Sequence, residues 1–97
     1  MLRFVSLVAV HEGADVDAIV AAGMKMCEED PEIQSGSVVT GLGLMRAYEA
    51  PEADYLMLLD FADEDSMNRW ATGPHHQTFG QVVGSAVDTF MVGQYHL

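Results

Sequence analysis

The chain has 97 residues, of which 15 are acidic and 4 are basic, so its formal net charge is −11. This length suits one small domain, and a domain of this size gains stability when oligomerisation buries more of its surface. The charge argues against binding to nucleic acid or to anionic membranes, because both depend on clustered Lys and Arg side chains. One cysteine, no signal peptide and no long apolar run predict a cytoplasmic protein without an intrachain disulfide.

The first half of the chain predicts a strand, a helix and a second strand. Residues 2–10 are rich in β-branched and large apolar side chains, which is typical of a strand. Asp15 is a good N-cap for a helix that runs to about Glu29, since Pro31 cannot continue it. The segment 36–47 predicts the second strand, and its two central glycines indicate a bulge or a close approach of another backbone.

The second half predicts a strand, two helices and a last strand. Residues 55–61 form the third predicted strand, and Asp63 caps a short helix that carries Trp70. The pair Gly73–Pro74 ends that helix, and proline is well suited to the first position of the next one. Residues 87–95 predict the fourth strand.

The order β-α-β-β-α-α-β predicts an α+β fold. Its most economical form is a ferredoxin-like sandwich, a four-stranded antiparallel sheet with the helices on one face. The first, third and fourth strands are apolar on both faces, yet helices can cover only one of them. A bare apolar face of that size would be an association surface. The sequence therefore predicts a homodimer in which the open sheet faces pack together.

The layout, with the segment "DYLMLLDFADEDSMNRWATGPHHQTF" and a terminal strand ending "GQY", resembles the stress-responsive dimeric α/β-barrel (Dabb) family over nearly the whole chain. The family's His-Pro-x-His-x-x-Phe run has its counterpart in residues 73–79. The resemblance implies a single stress-responsive α/β-barrel domain over residues 1–97 and a dimeric α/β barrel built from two chains. It also implies a cleft between sheet and helices that takes a small hydrophobic ligand, with no cofactor.

The resemblance leaves the activity open, because only a few members of the family are enzymes. A plant polyketide cyclase of the family uses the second histidine of the motif as a general base, and that role would fall on His76. The chain departs from this cyclase at Phe4 and Gln94, where the cyclase has a histidine and an aspartate, and it lacks the motif's first histidine. A cofactor-independent monooxygenase of the related dimeric barrels is a further alternative, because Asn68, Trp70 and His76 are residue types that such sites use.

Two adjacent histidines are the candidate catalytic residues. At about 100° per residue, His75 lies nearer than His76 to the apolar stripe of the last helix, whereas the resemblance favours His76. Adjacent helical side chains diverge by that same angle, so the pair does not converge on one ion and we expect no metal site. The alternative to catalysis is a structural role in the first turn of a helix.

Aromatic side chains are the candidate ligand-binding residues, because ligand pockets are mostly apolar with few polar groups. They are Phe4, Tyr55, Trp70 and Phe79. Each could equally belong to the hydrophobic core. Arg46 and Arg69 are candidate anchors for a carboxylate on a ligand, with solvated surface pairs as the alternative.

Overall fold

The computed structural model describes residues 1–44 and 51–97, and there the chain follows the predicted order of elements. The elements are β1 (Leu2–Val10), α1 (Val16–Glu29), β2 (Ser35–Thr40), β3 (Tyr55–Phe61), α2 (Glu64–Ala71), α3 (Pro74–Val83) and β4 (Val87–His96). The strands form an antiparallel sheet in the order β2-β3-β1-β4. The predicted ferredoxin-like α+β fold is therefore confirmed.

The three helices begin at the residues that the sequence indicates. The carboxylate of Asp15 accepts a hydrogen bond of 3.0 Å from the backbone N–H of Ala18. Asp63 accepts an equivalent bond of 2.9 Å from Ser66. Pro74 occupies the first position of α3. The two aspartates satisfy backbone donors that a helix leaves unpaired at its start, and proline at the first position has no such donor. Local chemistry therefore fixes where each helix begins.

The second strand is shorter than the sequence predicts. The strand expected over 36–47 spans only Ser35–Thr40, and residues 45–47 lie outside the described ranges. At Gly41 an added side chain would collide with the carbonyl oxygen of Ala53, so this glycine makes the expected close backbone approach. The backbone N–H of Gly41 still donates a hydrogen bond of 2.8 Å to the carbonyl oxygen of Asp54, so backbone pairing reaches one residue beyond β2.

The side chains of the sheet divide between two faces. Phe4 of β1 contacts Trp70 of α2, and Val38 of β2 lies so close to Gly23 of α1 that an added Cβ would be 2.9 Å from its methyl group. The face that carries Phe4 and Val38 is therefore the helix side. The hydrophobic core lies on this side and includes Phe61, which has no exposed surface.

The opposite side, here called the open face, consists of rows of residues paired across the four strands. The rows are Ser35–Asp60–Arg3–Tyr95, Ser37–Leu58–Val5–Gly93 and Val39–Leu56–Leu7–Met91. The helices lie on the other side, so Leu7, Val39 and Met91 keep 44%, 48% and 71% of their surface exposed. The single chain thus carries the bare, largely apolar sheet face that the sequence predicts.

The cap of α2 makes part of the stability depend on pH. The hydrogen bond from the backbone N–H of Ser66 lowers the pKa of Asp63. A carboxyl group with a lowered folded pKa stabilises the fold above its unfolded pKa of about 3.9, and this contribution is lost as the pH falls through the folded value. We therefore expect Asp63→Asn, which keeps a capping side chain but cannot ionise, to lose less stability on acidification than the wild type.

The measurement is the urea midpoint of unfolding at about pH 7, 5 and 2.5. Asp63→Ala is the control, because it removes the cap altogether and should already lower the midpoint at pH 7. If Asp63→Asn and the wild type lose equal stability between pH 5 and 2.5, ionisation of Asp63 does not contribute to the stability of the fold.

Candidate functional site

The end of α2 and the start of α3 bring Trp70 and His76 together. Two residues separate the helices, and a Cβ on the second of them, Gly73, would lie 2.7 Å from the carbonyl oxygen of Arg69. Glycine therefore permits the tight junction, and Pro74 supplies the backbone angle for the first helical position. As a result the imidazole of His76 lies over the last turn of α2, with its ring centre 4.5 Å from that of Trp70.

A backbone hydrogen bond orients the His76 imidazole. Its Nδ1 lies 2.9 Å from the carbonyl oxygen of Ala71, the last residue of α2. A carbonyl oxygen can only accept, so Nδ1 carries the hydrogen in this bond. The neutral ring then has its lone pair on Nε2, which is the form that can accept a proton from a ligand. The sequence did not reveal this partner, because any residue can supply a backbone carbonyl.

Trp70 is the centre of an aromatic cluster. It is 3% exposed, and its ring centre lies 5.2 Å from Phe4 in an edge-on arrangement and 5.3 Å from Phe61. The indole N–H points to the sulfur of Met26 at 3.3 Å. Trp70 is therefore held on several sides, and it links the sheet to His76. Phe4, Trp70 and His76 are called the aromatic triad below.

The helix side of β4 lies beside this triad. Gln94 pairs with Phe4 across the β1–β4 ladder, and Val92 pairs with Ser6. The helices α1 and α2 pack against β2 and β3, while Gln94 remains exposed and Val92 keeps 39% of its surface exposed. The triad therefore borders an uncovered surface with few polar groups. Alternation along the last strand could have shown that Gln94 and Val92 share one face. Only the strand register shows that they lie beside Phe4.

His75 occupies a different environment from its neighbour. Its Nδ1 lies 3.8 Å from a carboxylate oxygen of Glu29, across a groove between α1 and α3 with a volume of about 170 Å³. Phe79, which is 6% exposed, lines the same groove. The two histidines thus face separate neighbours, as expected from the roughly 100° between adjacent helical residues.

The four candidate ligand-binding residues do not form one site. Phe4 and Trp70 lie with His76, and Phe79 lies with His75. Tyr55 is buried at the other end of the sheet, about 14 Å along β3 from the residue that pairs with Phe4. Burial raises the pKa of the Tyr55 hydroxyl. Strand register therefore places Tyr55 apart from the triad, whereas the prediction groups them in one cleft.

Asn68 does not join Trp70 and His76. It is exposed on α2, and a step of two positions places it about 200° from Trp70 around the helix axis. The side chains that the monooxygenase alternative would combine therefore do not share one face of α2.

Arg69 and Arg46 are the candidate anchors for a ligand carboxylate. Arg69 forms two hydrogen bonds to Glu32, at 2.9 and 3.1 Å, and this pairing lowers the pKa of Glu32. The surface pair is thus the observed arrangement. Arg46 lies outside the described residues. Within the described ranges, no three His, Cys, Asp or Glu side chains converge as metal ligands.

In residues 1–44 and 51–97, no helix has the length and apolar character that a membrane span requires.

Comparison with known proteins gives matches in structure but not in sequence. No family model and no curated protein sequence matches the chain. A dimeric ferredoxin-like protein of unknown function from Thermobifida fusca has a TM-score of 0.85 at 19% identity, over 99% of this chain and 90% of that one. A dabb family protein with a ferredoxin-like fold from Mesorhizobium loti has a TM-score of 0.77 at 13% identity, over 99% and 95%.

An enzyme is also among the structures with this fold. SnoaB, a cofactor-independent oxygenase from Streptomyces nogalater, has a TM-score of 0.72 at 14% identity, over 99% of this chain and 91% of that one. Identities this low establish the fold alone. The resemblance seen in the sequence is thereby confirmed at the level of the fold, because the chain shares the ferredoxin-like fold of a dabb family protein and of a dimeric protein of unknown function.

Proposed function

We propose that the protein is a homodimer, joined through its open face, that binds a small uncharged hydrophobic molecule beside the aromatic triad. The observation that carries the ligand proposal is the uncovered, uncharged surface that Gln94 and Val92 present next to Phe4, Trp70 and His76. The dimer is supported by three proteins of similar structure, which are dimeric ferredoxin-like proteins of unknown function.

The size and charge of the open face suit a second copy. Four strands spaced about 4.8 Å apart and about seven residues long present roughly 450 Å² in projection, or about 900 Å² for two copies. Accessible area exceeds projected area, so the contact approaches the roughly 1,200 Å² at which stable interfaces begin. The three rows carry one positive and one negative residue, Arg3 and Asp60. The contact surface itself therefore adds no net charge to the repulsion between two chains of charge −11.

The polarity of the helix side indicates the class of ligand. The rows Gly36–Leu59–Phe4–Gln94 and Val38–Met57–Ser6–Val92 contain no formally charged residue. Of their two polar side chains, Ser6 is buried and Gln94 is exposed, and His76 adds an imidazole nitrogen. A charged ligand placed here would lose hydration without gaining a countercharge. An uncharged ring system with one or two hydrogen-bonding oxygens fits this surface best.

General-base catalysis is the second candidate function. It is favoured by the hydrogen bond between His76 and the Ala71 carbonyl, which leaves Nε2 as the acceptor. This bond orients the imidazole, a role that Phe4 and Gln94 cannot take over from the histidine and aspartate of the cyclase. In this cyclase-like alternative, Nε2 would remove a proton from the carbon next to a ligand carbonyl. Such a step needs no cofactor. The monooxygenase alternative has less support, because Asn68 lies apart from Trp70 and His76.

We expect His76→Phe to weaken the binding of 2-naphthol about fivefold, measured by isothermal titration calorimetry. The phenyl ring keeps the aromatic contact with Trp70 but removes the nitrogen that accepts the hydroxyl proton, and one net hydrogen bond contributes about 1 kcal/mol. The wild type should bind 2-naphthoate, which has the same rings with a carboxylate, at least about tenfold more weakly than 2-naphthol.

His75→Phe is the matched control, since it makes the same change at the adjacent position and should leave naphthol binding unaltered. Equal effects of the two substitutions, tighter binding of naphthoate or no saturable binding of either probe would refute the site. Deuterium exchange at the methyl group of 2-acetylnaphthalene, followed by NMR, separates the two candidate functions. A general base gives enzyme-dependent exchange that His76→Phe reduces by roughly 10²–10⁴, whereas a binding protein gives none.

A further inference from the structure

The open face is polar at one end and apolar at the other. At the polar end Arg3 and Asp60 lie side by side, and the guanidinium donates two hydrogen bonds to the carboxylate, at 2.8 and 3.0 Å. The row that contains them also carries Ser35 and Tyr95. The row of Val39, Leu56, Leu7 and Met91, near the other end, is wholly apolar.

The ion pair is well formed in the single chain. Asp60 is 6% exposed, and the hydrogen bonds from Arg3 lower the pKa of Asp60, so the carboxylate stays charged at neutral pH. The Arg3 side chain keeps 37% of its surface exposed. Guanidinium has five N–H donors, and the bonds to Asp60 use two of them. The remaining donors need water or another acceptor when the face is covered.

A buried ion pair is not an efficient way to stabilise an interface. Apolar side chains of similar volume often give equal or greater stability, because they avoid the loss of hydration. The best-attested role of such a pair is to select one register or orientation among several. The pair can select one orientation only if the other orientations of the two sheets place it against apolar surface.

Sheets that pack through the same face are related by a two-fold axis in the plane between them, and two directions of that axis are the limiting cases. A two-fold axis parallel to the strands places the row of Arg3 and Asp60 over the same row of the second copy. A two-fold axis across the strands reverses the strand direction and, at full overlap, places this row over the apolar row of Leu7. The second arrangement strips water from Arg3 without offering an acceptor, which is costly.

We propose that the Arg3–Asp60 pair sets the orientation of the two sheets in the homodimer, by favouring the arrangement in which the two polar rows lie over each other. This inference rests on the proposed homodimer. The pair acts as a specificity device within the interface, and the apolar rows supply the association energy.

Spin labels test the orientation directly. Ala62 is exposed and follows β3 at the polar end of the sheet, so Ala62→Cys in a Cys27→Ala background marks that end. Packed sheets lie about 10 Å apart, and the ends of a seven-residue strand are about 20 Å apart. Double electron–electron resonance should give one short label distance in the otherwise wild-type dimer. In the reversed arrangement the labels are also about 20 Å apart along the strands, so their distance rises from about 10 Å to about 22 Å.

The deciding variant is Arg3→Met with Asp60→Leu, which replaces the pair by apolar side chains. We expect it to remain a folded dimer in which a second, longer distance appears. The ratio of the two arrangements should shift by at least about tenfold, which corresponds to about 1.4 kcal/mol. The charge-reversed variant, Arg3→Asp with Asp60→Arg, keeps a polar row and should restore the single short distance.

The proposal is overturned if the apolar variant keeps the single short distance, or if the wild type gives only the long one. Light scattering on the wild type separates this failure from that of the proposed function. A monomeric wild type contradicts the homodimer and the orientation role together, whereas a dimer with unchanged distances contradicts the orientation role alone.

Discussion

We expect Leu7→Glu to convert the dimer into a folded monomer. Leu7 lies in the apolar row of the open face and is 44% exposed in the single chain, so a glutamate there remains hydrated when the chain is alone. In the dimer both copies would bury a carboxylate against apolar side chains. At about 2 kcal/mol or more for each, the association constant should fall by roughly 10³ or more. Light scattering at micromolar concentration measures the change in mass.

The control for this substitution is Val82→Glu. Val82 is on α3, is 47% exposed and lies on the helix layer, so it has nearly the exposure of Leu7 without being on the open face. It should leave the mass unchanged, and circular dichroism should show folded protein for both variants. A Leu7→Glu protein that remains dimeric would exclude the open face as the interface.

We expect Trp70→Ala to destabilise the fold by about 4 kcal/mol, because it removes a 3%-exposed aromatic side chain from the core. The loss would include the contacts with Phe4, Phe61 and His76 and the N–H interaction with Met26. In a domain of this size such a change lowers the thermal midpoint by roughly 15–30 °C. Thermal and urea unfolding, followed by circular dichroism, measure it.

Two variants on the same helix make this result specific. Trp70→Phe retains one aromatic ring in the core and should lose clearly less stability than Trp70→Ala. Asn68→Ala changes an exposed residue two positions away and should alter stability by no more than about 0.5 kcal/mol. A Trp70→Ala loss below about 1 kcal/mol would mean that the aromatic cluster does not hold α2 and α3 to the sheet.

Most of the fold could be predicted because its signals are local. Asp15 and Asp63 cap helices through bonds to residues only three positions away, and Pro31 and Pro74 act on the backbone angles of their own segment. Runs of β-branched and large apolar residues identified β1 and β3 with their bounds. The end of β2 could not be predicted, because it depends on pairing with β3, a distant part of the chain, and that pairing ends at Thr40 and Tyr55.

The site could be predicted only in part. The sequence singled out Trp70 and His76, yet it grouped Tyr55 with them and did not reveal the carbonyl of Ala71. Neither feature can be identified from local sequence. The distance between side chains on different strands follows from their register. A backbone carbonyl can accept a hydrogen bond whatever the residue type, so the sequence does not indicate which one does.

The sequence by itself determined the order of elements, the ferredoxin-like fold and the apolar character of both sheet faces, because periodicity, caps and helix breakers act within a few residues. Only the tertiary structure decided that His76 contacts Trp70 while His75 faces Glu29, and that Arg3 and Asp60 meet across 57 positions of sequence. Those contacts depend on helix rotation and strand register. Neither is set by local chemistry, because both result from packing the whole chain around one core.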